Sequence, residues 1–135
     1  MPARLLKRLA ATAVPLLALL FCGQAAAQER WAAIVPNQEN NETVVWATTK
    51  EQAKKLAVLA CKQVSQTCAD TPASTNGMDH VFAIMCCKDP KSACAVGVGA
   101  TRDTALKEVK GVLSEAGYDK CSLRSYFKAG TGEKG

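Results

Sequence analysis

The residues with the most chemistry to offer in this chain are sulfur-bearing ones. There are seven cysteines and three methionines against a single histidine. Met78, His80, Met85, Cys86, Cys87 and Cys94 fall close together in the chain, and thioether, imidazole and thiolate are the donors that favour copper(I) or zinc. Stapling competes with metal capture, because a cysteine oxidised to a disulfide no longer offers a thiolate ligand, and methionine and cysteine are ordinary core fillers. Redox catalysis lacks its usual signature, the Cys-x-x-Cys spacing that activates one thiol. A nucleophile-base triad would have to use His80, the sole histidine. Asp70, Asp79 and Asp89 stand in turn-like contexts where aspartate is common, which does not single out a carboxylate pair for glycoside cleavage. Trp31 and Trp46 sit in strand-like runs, where core packing or cross-strand pairing accounts for them better than a ligand platform does. Gly97-Val98-Gly99 lacks the third glycine and the Lys-Ser/Thr of phosphate-binding loops, and nothing else in the sequence calls for a cofactor.

The fate of the thiols depends on the compartment, and the N-terminus speaks to that. Arg4, Lys7 and Arg8 precede an apolar run from Leu9 to Phe21, which ends in Ala25-Ala26-Ala27 before Gln28. Positive, then hydrophobic, then small is the order of a secretory signal peptide over residues 1–27. The run is short for a membrane span, which needs about 20 apolar residues. Cys22 offers an alternative, lipid attachment, but bulky Phe21 precedes it where such sites want a small residue.

Without the three basic residues of this leader, the 17 Lys plus Arg become 14 against 12 acids, and the net charge falls from +5 to +2. A small, scattered excess predicts neither nucleic-acid binding nor a membrane-binding patch. The cysteines become six: Cys61, Cys68, Cys86, Cys87, Cys94 and Cys121. An even number in a short exported chain reads as a disulfide framework, with 15 possible connectivities. Adjacent Cys86 and Cys87 in a strand point to opposite faces and should reach different partners. Cys61 is expected to bridge to a central strand, and Cys68 or Cys121 to tie a helix exit to the sheet.

The elements that must hold these cysteines come in two similar halves. In the first, Trp31 to Val35, a polar turn over Pro36 to Glu42, and Thr43 to Ala47 predict a hairpin. A helix follows over Lys50 to Val64, with Ala53, Leu56, Ala57, Ala60, Cys61 and Val64 on one stripe. Either Thr48 with Glu51 or Thr49 with Gln52 can cap it. In the second half, His80 to Cys87, a turn at Lys88 to Lys91, and Ala93 to Gly99 precede a helix with the stripe Ala105, Val109, Val112, Leu113 and Ala116. Gly117 supplies its left-handed stop. The run from Val81 to Cys87 is apolar at both parities and should be covered on both faces. The bare face Ala93, Ala95, Gly97 and Gly99 should admit a close neighbour. A closing edge strand, Ser122 to Lys128, alternates Leu123 and Phe127 inward with Arg124 and Lys128 outward.

The fold class expected is therefore α+β: two strand-strand-helix units and a closing strand, a mostly antiparallel sheet with both helices on one face, stabilised by disulfides. The single domain covers residues 28–128, and residues 129–135 are expected to be a flexible, solvated tail.

Trp31-Ala32-Ala33-Ile34, the Ala53/Ala57/Cys61 helix, and Ala95 to Thr101 running into an alanine-containing helix with a late cysteine resemble the exported bacterial family called domain of unknown function 4189. The similarity covers nearly all of residues 31–128. It implies a secreted or periplasmic cysteine-containing domain and brings no assigned activity. Leu113 stands where the internal repeat would place a counterpart of Cys61, and Cys86 and Cys87 with Cys94 are additional, so no bridge connectivity comes with the resemblance.

The function these readings favour is non-enzymatic binding of a protein or a cell-envelope component in the periplasm or outside the cell, in the manner of an inhibitor or immunity protein. The alternatives are a soft-metal binding protein or a small envelope hydrolase.

Overall fold

The computed structural model describes residues 29–135; the leader and Cys22 lie outside them. Eight elements follow in order: β1 (Trp31–Ile34), β2 (Val45–Ala47), α1 (Lys50–Val64), β3 (Ala73–Thr75), β4 (Val81–Asp89), β5 (Ala93–Gly99), α2 (Arg102–Glu115) and β6 (Asp119–Lys128). They form two three-stranded antiparallel sheets with the same wiring, β2-β1-β3 and β5-β4-β6. Each half is thus a complete strand-strand-helix-strand unit. The α+β class, the antiparallel pairing and the disulfides are as read from the sequence.

The arrangement of layers corrects the single sheet with both helices on one face. β1 and β4 are each buried on both faces, and alternate side chains serve different cores. Ala32 and Ile34 of β1 meet Phe82 and Ile84 of β4 in a core between the sheets, joined by Phe127 of β6. The opposite face of β1, Ala33 with Val35 just beyond it, packs on Ala53, Ala57 and Cys61 of α1. The opposite face of β4, Ala83, Met85 and Cys87, packs on Ala105, Val109 and Leu113 of α2. The order is helix, sheet, sheet, helix, so the two helices lie on opposite outer faces. The two helices bury matching triads and start at matching threonines. Thr49 Oγ1 accepts from Gln52 N at 3.2 Å, and Thr101 and Thr104 cap each other reciprocally. Gly117 takes φ +83°, the left-handed stop.

The bare face of β5 is filled by α2. A Cβ on Gly97 would lie 2.6 Å from Val109 N, and one on Gly99 would lie 2.6 Å from Ala105 N. Backbone against backbone is therefore the reason for glycine here.

Three further expectations are revised. Leu56, Val64, Val112 and Ala116 are exposed; a helix resting on small residues sits close to its sheet, and the buried arc narrows to Ala53, Ala57 and Cys61 in α1 and Ala105, Val109 and Leu113 in α2. In β6 the register shifts between Ile84 and Met85, which face Ser125 and Leu123, so Arg124 is the extra residue of a bulge. The bulge brings Arg124 inward and leaves Leu123 exposed, against the simple alternation. The last residues are not a solvated tail. Ala129 is buried, Lys128 N donates to Glu133 O, and Tyr126 and Gly135 exchange both backbone hydrogen bonds. The segment covers the open edge of β6, which a sheet edge otherwise leaves unpaired.

Candidate functional site

The cysteines form three bridges: Cys61–Cys68, Cys86–Cys94 and Cys87–Cys121. Vicinal Cys86 and Cys87 do reach different partners on opposite faces. Cys94 stands directly across β4/β5 from Cys86, and Cys121 directly across β4/β6 from Cys87. Cys121 ties the segment leaving α2 to the central strand, as expected. Cys61 does not bridge to a strand: it closes on Cys68 just beyond the end of its own helix, because the loop after α1 folds back over the same buried face. Disulfides form and persist in oxidising surroundings. Among the described residues no helix is long and apolar enough to cross a membrane.

These bridges and the β4 alternation separate the soft donors that the sequence clusters. Met85 and Cys87 face α2, Cys86 and Met78 pack on the core between the sheets, and the sulfurs of all six cysteines among the described residues are in disulfides. Among the described residues no group of three His, Cys, Asp or Glu side chains could hold a metal ion. His80 Nδ1 is 2.7 Å from Thr75 Oγ1, and the ring packs over Gly77, closing the turn between the halves. Asp70, Asp79 and Asp89 are exposed. The tryptophans belong to the scaffold. Trp31 packs on the α1 core, and Trp46 packs between the sheets and donates from Nε1 to Ala129 O at 2.8 Å.

Two features emerge that the sequence did not single out. The first is a polar hub between the halves. The Glu42 side chain is fully buried and accepts from Asn37 N at 3.0 Å and from Arg124 Nη2. Arg124 Nη1 donates to Asn37 O at 2.7 Å and lies 3.7 Å from Cys94 Sγ. Glu42 reads as part of a polar turn and Arg124 as an outward strand residue, so only the bulge could have revealed the pair.

The second is the outer face of α1. Leu56 and Leu59 are 44% and 58% exposed, two of the five large exposed hydrophobics among the described residues. Beside them an open depression of about 420 Å³ is lined by Glu51, Lys54, Lys55, Val58, Leu59 and Pro72. Lys54 and Lys55 stand beside Leu59 there, with Glu51 the sole acid of the helix. Apolar groups bordered by charge are the make-up of a protein-contact surface.

No family model, no curated protein and no solved structure matches the chain.

Proposed function

We propose that this protein is a binding module, exported after removal of residues 1–27 to the periplasm or the cell exterior. It works there without catalysis, as a member of the family its sequence resembles. Its docking surface is the outer face of α1, and its partner is a protein presenting apolar side chains flanked by carboxylates.

The observation that carries this reading is the inverted use of α1. The helix rests on its sheet through Ala53, Ala57 and Cys61 and turns Leu56 and Leu59 to solvent. Burying a leucine contributes roughly 1.5–3 kcal/mol. The fold forgoes that contribution at adjacent turns of one helix, which a bound partner would recover. The neighbouring lysines give such a partner a charge to complement and speed its approach. The three disulfides support an oxidising destination.

The test is affinity capture from the exported fraction of the producing cell, with the oxidised protein and its Leu56→Glu/Leu59→Glu variant as baits. A stoichiometric protein bound by the first and lost with the second, at unchanged thermal stability, is expected. Retention of the same protein by the variant would refute the assignment of the face, and turnover of peptidoglycan by the bait would refute a purely binding role.

A further inference from the structure

We propose that Cys86–Cys94 is a thiol-exchange site, a disulfide that opens to a dithiol while the other two bridges stay closed. The three bridges differ in what surrounds their sulfurs. Cys61 is 6% exposed in the α1 core and Cys87 is 2% exposed in the α2 core, so each of those bridges has one sulfur sealed in apolar packing. Cys86 and Cys94 are both half-buried. Cys94, the sulfur that leaves, borders two neighbouring clefts, of about 340 and about 300 Å³, along the side of the molecule where β5 meets the chain around Pro36 and Ala69, and Cys86, the sulfur attacked, stands directly across β4/β5 from it.

Thiol–disulfide exchange requires an attackable sulfur and a leaving thiolate that is stabilised where it forms. At Cys94 the leaving sulfur lies 3.7 Å from Arg124 Nη1, while Glu42 holds the other terminal nitrogen of the same guanidinium. A charged donor is therefore fixed at the place where negative charge appears. Neither competing bridge has this. A thiolate released at Cys87 would form among Ala83, Met85 and Leu113, and one at Cys61 would meet only the neutral Asn37 amide, at 3.7 Å. Unpaired charge in such surroundings is strongly disfavoured.

One thiolate of an external dithiol reductant attacks Cys86 Sγ, a new S–S bond forms between that sulfur and Cys86, the Cys86–Cys94 bond breaks, and its electron pair stays on Cys94 beside Arg124. The second thiolate then attacks its own partner sulfur in the mixed disulfide and releases Cys86. The dithiol ends oxidised by two electrons and the cysteine pair reduced by two, and the protons shed by the dithiol return through water to the released sulfurs. Opening this bridge cuts the covalent tie across the β4/β5 hairpin, whose turn otherwise holds to the first half through Gln38 Nε2 donating to Ser92 O.

The experiment is graded reduction of the purified oxidised protein with dithiothreitol, trapping with N-ethylmaleimide and mapping of the labelled peptides. Label on Cys86 and Cys94 at a rate at least about tenfold above the other four is expected, the factor a single charge-assisted hydrogen bond supplies. Opening of Cys61–Cys68 or Cys87–Cys121 first, or at the same rate, overturns the proposal. In a Glu42→Gln/Arg124→Gln variant, opening of Cys86–Cys94 should slow about tenfold while the other two rates hold; an unchanged rate overturns the part given to Arg124. The order of opening in the unsubstituted protein decides the claim even where that variant does not fold.

Discussion

Arg124, the extra residue of the β6 bulge, carries its guanidinium into the first half of the molecule and ion-pairs there with Glu42, whose side chain is wholly buried. The contact matters because among the described residues no disulfide links the halves: Cys61–Cys68 lies in the first, Cys86–Cys94 and Cys87–Cys121 in the second. The halves are held by the core between the sheets and by a few polar ties: this ion pair, Trp46 to Ala129, Gln38 to Ser92 and Lys134 to Asn40.

Breaking that pair from one side should be costly. Arg124→Ala strands the Glu42 carboxylate, and the loss should be about 3–5 kcal/mol of unfolding free energy. A Glu42→Gln/Arg124→Met double variant removes both charges and should lose clearly less, since Glu42 Oε1 and Arg124 Nε already lack partners among the described residues. Urea unfolding of the three proteins checks this. Near-equal stability of Arg124→Ala and the parent would contradict it.

The absence of a covalent link between the halves can be read without substitution. Cyanogen bromide cuts after methionine, and Met78 and Met85 bracket the start of β4. With disulfides left intact, the piece ending at Met78 should separate by mass from the piece running from Cys86 to Gly135, each keeping its own bridges. A joined species would show a bridge between the halves.

How close α2 comes to β5 sets a third expectation. Gly97→Val would drive side-chain atoms into the backbone at Ala105 and Val109. Overpacking of this kind costs about 1–3 kcal/mol or more, visible as a lowered unfolding midpoint. Gly111, with open space where its Cβ would be, should tolerate alanine and gain helix propensity of up to about 1 kcal/mol.

Much of this fold was legible in the sequence, for identifiable reasons. Thr49 and Thr101, Ala53 and Ala105, and Cys61 and Leu113 recur at matching places, so both helices and the duplication could be read. The run from Val81 to Cys87 announced a strand covered on both faces, and it lies between α2 and the other sheet. The second sheet could not be read because its marker is β3, three residues, Ala73-Ser74-Thr75, with no apolar alternation. With β3 invisible, β6 looked like the closing strand of a single sheet. The terminal segment, with Gly130, Gly132 and Gly135, has the composition of a tail, but backbone pairing with Tyr126 and Lys128 orders it without side-chain signals. At the candidate face, helical periodicity placed Leu56 on the buried stripe. Contact through small residues narrows that stripe, and only the packing shows that Leu56 and Leu59 are left over.

The claim on which the functional account turns is that this leftover apolar face of α1 is what a partner covers. Calorimetric titration of the captured partner into the oxidised protein and into its Leu59→Glu variant tests it most directly. The account predicts one-to-one binding with a negative heat-capacity change from apolar burial. It also predicts a loss of at least about thirtyfold in affinity for the variant, the mark of a central contact residue. Equal affinity of the two proteins, at equal stability, would contradict it.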